Sequence, residues 1–514
     1  MSQSVSPPVM GWSSWNHFRQ NINETVILES AQAMHKSGLA AAGYQYVNLD
    51  DCWQSSDRDE QGNLQFDLSN FPHGRQMIDQ IHDLDLKVGL YSSCGPLTCE
   101  DMPASYGHEK RDAVTFTKLG IDFLKYDYCH VVDLTTDEKL LNDAPDIIAV
   151  TLFNTVTDET LNLPLGTAAL TGAVQRAVQA DGTLAISGLA NAAGQLTFDT
   201  AGIAPGQYVL TVVYRKTHSQ NRKLLVADTG DNEYVLHFPR SSGWSASGRV
   251  QVLITLTAGT KYIQLHNPIR DRRTDAILRY RTMANALNQA QASSQRETPF
   301  VYSVCEHGRN RPWEWAPAFA GAYRIHEDIR NNWDSVRDCY EKLLSVRALA
   351  TEGSYADPDM LEVGNGALTP AENMTHFTLW AFLSAPLVLG NDIRDQTGDW
   401  LPVVTNEKVI AVNQSAPFLP ADLIDLDADN DQVDVLAKYL SNGRAALCFF
   451  NKSDFPEEYT FAWEQLPDTI HDIAYAYTDQ TITPLWPDQK YLIQDGQITM
   501  TLPAHGVSAF QLEK

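Results

Sequence analysis

Between residues 24 and 36, apolar side chains recur at helical spacing at Ile27, Ala31 and Met34, among polar neighbours. That spacing predicts a helix with one buried stripe. Asn23 is its candidate N-cap and Gly38 its stop. Met77 or Ile78, Ile81 and Leu84 repeat the pattern, as do Ala113, Phe116 and Leu119. Between these helices lie short apolar runs that end in polar or charged residues: YQYVNLDD at 44–51, LKVGLYSS at 86–93 and IDFLKYDYC at 121–129. Strand alternating with helix predicts βα units on a parallel sheet.

The pattern changes at residue 131. From there to 276 the chain reads as short strands between turns, among them GQLTFDT, GQYVLTVVYRK, KLLVAD and EYVLHF, with clear period-two alternation around Leu196 and Phe198. This predicts an inserted β-sandwich. The stretch 133–146 reads as a polar linker. The helical stripe then returns at Ile277, Tyr280, Met283 and Leu287, and strand signals follow in TPFVYSVCE, FAGAYRIHED and FLSAPLVLGND. YADPDMLEVGNG at 355–366 reads as loop-like. With the opening VMGWSSW, about eight strand signals alternate with helices, which predicts a (β/α)8 barrel over 1–130 and 277–410. Residues 411–514 read as a C-terminal antiparallel β domain.

Composition narrows the class. Lys plus Arg number 38 and Asp plus Glu 64, a formal net charge of −26. Such a chain lacks the cationic face that a phosphate backbone requires, so nucleic acid is excluded as a partner. No apolar run reaches the roughly 20 residues of a membrane helix. The N-terminus shows no basic and apolar leader, so the expected compartment is cytoplasmic. The seven cysteines are sparse and contain no CxxC pair, which suggests neither a zinc site nor a disulfide scaffold. The sequence leaves the oligomeric state open; a homo-oligomer is compatible with it.

In a barrel of this kind the site lies at the carboxyl ends of the strands. Carboxylates recur there: Asp50 and Asp51, Asp127, Glu306, Glu327 and Asp328, Asp357 and Asp359, and Asp392, with Trp12, Trp15, Trp53 and Tyr91 nearby. Any one could be a helix cap. Together, acids that accept hydroxyl protons and rings that stack on apolar sugar faces suit a carbohydrate, and a pair of acids suits glycosidic cleavage. No acidic cluster has a fixed metal-ligand spacing, and no glycine-rich phosphate loop precedes a helix, so no metal or nucleotide cofactor is expected.

Nine segments in order then resemble one family: MGWSSWNHF, YQYVNLDDCW, FPHGRQMID, KVGLYSSCGPLTCE, FLKYDYC, VCEHG, YRIHEDI, DPDMLEVGNG and APLVLGNDIR. They look like the successive motifs of glycoside hydrolase family 27, the α-galactosidase and α-N-acetylgalactosaminidase family. The resemblance implies a (β/α)8 barrel, a C-terminal antiparallel β domain and a retaining mechanism without metal. By position it implies Asp127 as nucleophile and Asp328 as acid/base. It implies substrate-binding positions at Trp15, Asp50, Asp51, Tyr91, Cys99, Lys125, Cys305, Glu306, His307, Arg324, Asp359 and Met360. Asp50 and Asp51 resemble acceptors for the sugar's O4 and O6, and Lys125 a donor on the O3/O4 side. Cys99 and Cys129 match a disulfide of secreted relatives; in a reducing cytosol they would remain thiols.

Elementary chemistry supports these roles. Lys125 lies two residues from Asp127, hence on the same strand face, and favours its ionised form. An acid/base is expected to have a raised pKa through a neighbouring carboxylate. Retention requires carboxyl groups about 5–5.5 Å apart. Two departures stand out: many relatives read CEWG where this chain reads CEHG, so His307 replaces a Trp near the sugar's 2-position, and YRIHED differs from the commoner sequence around the Arg and the acid. The expected activity is release of terminal α-galactose. The alternatives are another sugar (β-L-arabinopyranoside, α-N-acetylgalactosaminide or isomaltose units of dextran) or an inactive sugar-binding protein. The insertion resembles galactose-binding-like carbohydrate-binding jelly rolls; a structural spacer is the plainer reading, and Trp244 is as good a core residue as a ligand platform.

Overall fold

The computed structural model describes residues 5–131, 142–190, 193–215, 222–239, 246–294, 300–424, 432–466 and 482–512. Most of the expected linker at 133–146, and Trp244, lie outside these residues. Two compact units emerge: residues 1–131 together with 283–514, and residues 132–282.

Eight parallel strands form one sheet in the first unit. They are β1 (Met10–Ser13), β2 (Tyr46–Asn48), β3 (Lys87–Ser93), β4 (Phe123–Asp127), β5 (Val301–Cys305), β6 (Ala322–Arg324), β7 (Tyr355–Asp357) and β8 (Leu387–Leu389). Neighbours in sequence pair in order, and β8 returns to β1. A single parallel bridge between Leu361 and Leu389 links the chain leaving β7 to β8 and closes the ring. The strands are buried nearly end to end, as β3 shows from Val88 onward. Burial on both faces explains why they read as continuous apolar runs without alternation. The segment at 355–366, expected to be loop-like, opens with β7. Three residues that end in Asp357 and run into Pro358 carry too little pattern to announce a strand.

The predicted helices form where the stripes placed them. Helix α1 (Glu24–Lys36) buries Ile27, Ala31 and Met34, and the Asn23 side chain accepts the Val26 N–H at its start. Helix α2 (Gly74–His82) buries Met77, Ile78 and Ile81, with Leu84 already past its end. Helix α3 (Glu109–Leu119) buries Ala113 and Phe116. Helix α4 (Arg272–Ala292) begins before the expected return at 277, and its first eleven residues count with the second unit. Helices α5 (Trp333–Val346) and α6 (Pro370–Phe382) follow, the latter opened by a capping box between Thr369 and Glu372. No helix among the described residues is long and apolar enough to cross a membrane.

The C-terminal residues build a five-stranded and a three-stranded antiparallel sheet around a core that includes Val435, Phe449, Phe461, Ile498 and Phe510. This β domain packs on α5 and α6. Tyr340 donates to Asp434 at 2.9 Å, Trp486 donates to the Thr378 hydroxyl at 3.0 Å, and Trp333 meets Phe450 edge-on. Lys438 is 1% exposed, and its ammonium donates to the Ala381 carbonyl and the Ser384 hydroxyl.

The second unit is a β-sandwich of two six-stranded sheets, with Ile147, Leu152, Ile186, Phe198, Leu210 and Ile254 among its core residues. Its long strand Asp146–Asn154 went unread in the sequence, because the polar stretch before it obscures the start. Strands Thr160–Leu163, Ala169–Thr171 and Gln175–Val178 were missed as well. They are short and largely exposed, so no buried face writes a pattern.

Candidate active site

The carboxyl ends of β1 to β8 converge, as expected, on a cluster of acids. Asp50 and Asp51 follow β2 and are almost fully buried. The Asp50 N–H is taken by the Ser14 hydroxyl beyond β1, while its Oδ2 receives the Lys125 ammonium at 2.8 Å. Asp51 accepts the Cys52 and Glu100 N–H groups at 2.8 and 3.0 Å. Burial nevertheless pushes its pKa up to about 6, the two backbone donors offsetting part of the effect. Lys125 sits 5.1 Å from the Tyr91 ring centroid, a cation over an aromatic face. Trp15 lies half-buried in the short helix after β1.

Asp127 ends β4 and is 4% exposed. Its Oδ1 accepts the Tyr128 N–H at 2.7 Å and lies 3.1 Å from His307 Nε2. Burial alone would raise its pKa. The bond and charge of His307, with Lys125 and the Tyr128 N–H, outweigh burial and hold the carboxyl below its usual range. His307 stands two residues past β5 with φ 59°, in the left-handed region. Its Nδ1 lies 3.3 Å from Asp328 Oδ1, so one imidazole spans the two acids. Burial works against the imidazolium, but both carboxylates favour it, and its pKa is pushed up to about 9.

Arg324, the last residue of β6, is buried and directs one nitrogen to Asp328 Oδ1 at 2.7 Å and to Asp359. The Asp328 side chain is 61% exposed, open to an incoming molecule. Its pKa corrects the sequence expectation. Partial burial raises it, but the close approach of the His307 ring and the charges of Arg324 and His307 dominate, and it falls well below the ordinary value. The expected like-charge repulsion from Asp127 is intercepted by the cation between them.

Asp359 is 4% exposed and left-handed at φ 93°. Its carboxylate takes the Ile329 and Met360 N–H groups, and its carbonyl takes the Trp380 indole N–H. It thereby pins the segment that carries Asp328 and the buried Met360. Other nominated acids turn elsewhere. Both oxygens of Glu306 receive the Asn310 backbone N–H, and Oε2 also takes its amide, so Glu306 shapes the loop behind His307. Glu327 forms a two-pronged pair with Arg309. Asp357 caps the Asp359 N–H, and Asp392 pairs with Arg394.

Cys99 and Cys129, whose bridging the sequence left open, are joined in a disulfide; the other five cysteines are free. The Tyr91 hydroxyl lies 3.5 Å from Cys99 Sγ and 3.6 Å from Cys129 Sγ. The donor atoms of Asp127, Cys305 and His307 fall within 4.8 Å of one another, a spacing that could hold an ion. Burial raises the Cys305 thiol well above its usual pKa, and Lys125 and Arg324 add positive charge beside it, so the trio suits a metal poorly. Sequence reasoning found most of this cluster. It missed Ser14, and it missed that His307 bridges the acids; the CEHG departure was the available signal.

Comparison with known proteins adds an independent line. The family described as Alpha galactosidase A matches residues 7–152 and 205–415, thus running into the insertion on both sides. The Alpha galactosidase C-terminal beta sandwich domain matches 430–512. The chain is 28% identical to Alpha-galactosidase 2 of Arabidopsis thaliana over 99% of its own length and 89% of that protein. It is 26% identical to Alpha-galactosidase A of Cellvibrio japonicus, covering 99% and 93%. Among solved structures, α-galactosidase I from Mortierella vinacea superposes with a TM-score of 0.66 at 25% identity, covering 99% of this chain and 98% of that one.

Proposed function

This chain belongs to the α-galactosidase family, glycoside hydrolase family 27, and from that premise we propose that it is an exo-acting retaining glycosidase that releases terminal α-linked galactose. The observation that carries the reading is the pair Asp127, at the end of β4, and Asp328, four residues beyond β6, with a single imidazole between them. Both donors to Asp127 bind Oδ1, which presents Oδ2 for bond formation. Its lowered pKa keeps it ionised at neutral pH. Oδ2 attacks the anomeric carbon and the glycosidic bond breaks, with Asp328 delivering a proton to the departing oxygen. Water then attacks the same carbon while Asp328 takes the water's proton, and Asp127 leaves as a carboxylate.

Asp50, Asp51 and Lys125 form the polar floor that reads sugar hydroxyls, with Tyr91 and Trp15 as apolar walls. Asp359, Arg324 and Met360 hold the acid/base segment. His307 stands where the resemblance places a Trp near the 2-hydroxyl, and brings positive charge to that side of the pocket. The inserted β unit is proposed as a carbohydrate-binding module on its strand pattern; replacing it with a short loop should then raise KM for oligosaccharides more than for small aryl glycosides. The test of the main reading is a panel of p-nitrophenyl glycosides: α-galactoside, α-N-acetylgalactosaminide, β-L-arabinopyranoside and α-glucoside. The α-galactoside should be cleaved fastest, with α-galactose as the first product seen by NMR. Preference for another sugar would reassign the substrate, and a β-product would refute retention.

A further inference from the structure

The mechanism just given leaves a proton unaccounted for. Asp328 must donate in the first half of the reaction, yet in the free protein His307 and Arg324 hold it ionised. We propose that His307 is a positioning residue that stores this proton, passing it from Nδ1 to Asp328 for glycosidic cleavage and recovering it when water attacks. The inference rests on the roles of Asp127 and Asp328 proposed above.

Geometry carries it. His307 Nε2 is hydrogen-bonded to Asp127 Oδ1 at 3.1 Å, and Nδ1 lies at ion-pair distance from Asp328 Oδ1, 3.3 Å, without hydrogen-bond alignment, so the ring stands between the two acids. The backbone builds this placement. His307 and Gly308 are both left-handed, at φ 59° and 75°. A Cβ at Gly308 would stand 2.1 Å from the Ile325 carbonyl oxygen, so the turn is locked against the chain beyond β6. Glu306, fully buried, ties the turn from behind through Asn310.

The groups around the ring are accounted for on every side. Asp127 faces it from β4. Arg324 approaches from β6, and Asp328 and Glu327 from the segment beyond, with Glu327 at 3.8 Å and engaged by Arg309. Cys305 lies on the ring's own segment. Carboxylates outnumber cations against the imidazole, which agrees with its raised pKa of about 9. Arg324 also touches Asp328, but a guanidinium does not give up its proton in a protein.

The balance closes. In the first half, the Nδ1–H bond breaks as Asp328 takes that proton, and the same proton then leaves Asp328 for the glycosidic oxygen. The bond from the anomeric carbon to the leaving oxygen breaks as the bond to Asp127 forms. His307 is then neutral, still donating through Nε2 to Asp127. In the second half, water attacks the anomeric carbon, its proton passes to Asp328, and a proton returns from Asp328 to Nδ1. Asp127 departs as a carboxylate, and one water has been consumed.

The test uses His307→Asn in the full chain, because Asn tolerates the left-handed backbone. Methyl α-galactoside needs a proton on its leaving group, and 2,4-dinitrophenyl α-galactoside does not. At pH 8 the variant should lose at least about tenfold more kcat/KM on the methyl than on the aryl substrate. The alkaline limb for the methyl substrate should also move down by a pH unit or more. Equal losses with an unmoved limb would overturn the proposal. Nitrogen-15 NMR of the imidazole gives a readout without catalysis. His307 should be doubly protonated at pH 7 and titrate near pH 9, and its midpoint should fall by a unit or more in Asp328→Asn. A neutral His307 at pH 7 would overturn the proposal even if α-galactosides are cleaved. If neither galactoside is cleaved by the unmodified protein, the substrate assignment fails and the NMR titration alone judges where the proton resides.

Discussion

Removing the Cys99–Cys129 disulfide should loosen the site's floor as well as the fold. The two residues are 30 positions apart, and the bridge ties the segment after β3 to the segment after β4. In the chain-entropy description, a closed loop of that length lowers the entropy of the unfolded state by about 12 cal/mol/K, or about 3.6 kcal/mol at 25 °C. The same loop presents the Glu100 N–H that holds Asp51, and the two sulfurs flank the Tyr91 hydroxyl. Cys99→Ser/Cys129→Ser should therefore lower the stability of the β3–β4 region by up to about 3.6 kcal/mol, read by hydrogen exchange of its amides and by the urea midpoint. KM for an α-galactoside should rise more than kcat falls, because the role proposed for Asp51 is to bind substrate and not to react. Thiol titration of the unmodified protein in denaturant should find five reactive groups. Seven titratable thiols, with an unchanged midpoint in the double variant, would refute the reasoning.

Three further outcomes follow from the geometry. Asp127→Ala should cut turnover by several orders of magnitude with the fold intact, and azide should restore part of the rate and yield a β-galactosyl azide; hydrolysis near the original rate would contradict its role. Arg324→Met leaves Asp359 buried without its cation and should cost about 3–5 kcal/mol in thermal or urea unfolding, with Asp359→Asn recovering part of the loss in the double variant. Lys438 is a base whose pKa burial lowers from 10.5 to about 7. The unfolded chain then binds more protons between those values, so stability should rise with pH across pH 7 to 10.5 by up to about 5 kcal/mol relative to Lys438→Met; parallel profiles for the two proteins would contradict this.

Much of the barrel could be read in the chain because helix stripes and strand-end acids repeat with it. Ile27, Ala31 and Met34 name a buried face, and Asp50, Asp127 and Asp328 sit at or just beyond strand ends, where chemistry is expected. Three things could not be read. The β7 strand is too short to show a pattern, and the exposed strands of the insertion have no face to bury. The low pKa of Asp328 depends on His307 and Arg324 meeting one oxygen, a coincidence of three segments that no spacing along the chain encodes. The disulfide is a different case: the resemblance singled out Cys99 and Cys129, and only whether they are bridged was left open, because sparse cysteines with no paired motif do not decide it.

The pairing of β4 with β5 also has a consequence for how the chain is made. Cys305 lies level with Asp127, yet about 180 residues of polypeptide intervene. As a floppy tether, that length would cost roughly 2–3 kcal/mol more to close than a ten-residue connection. A folded insertion acts as a staple that shortens the effective tether. On the ribosome the nascent β4 edge waits unpaired until the insertion has emerged, a window in which wrong partners can add to it. A substitution that melts the insertion's own core, such as Ile147→Asn or Leu210→Asn, would lengthen the tether again. It would thereby weaken the β4–β5 seam that holds Asp127 level with Cys305 through chain statistics alone.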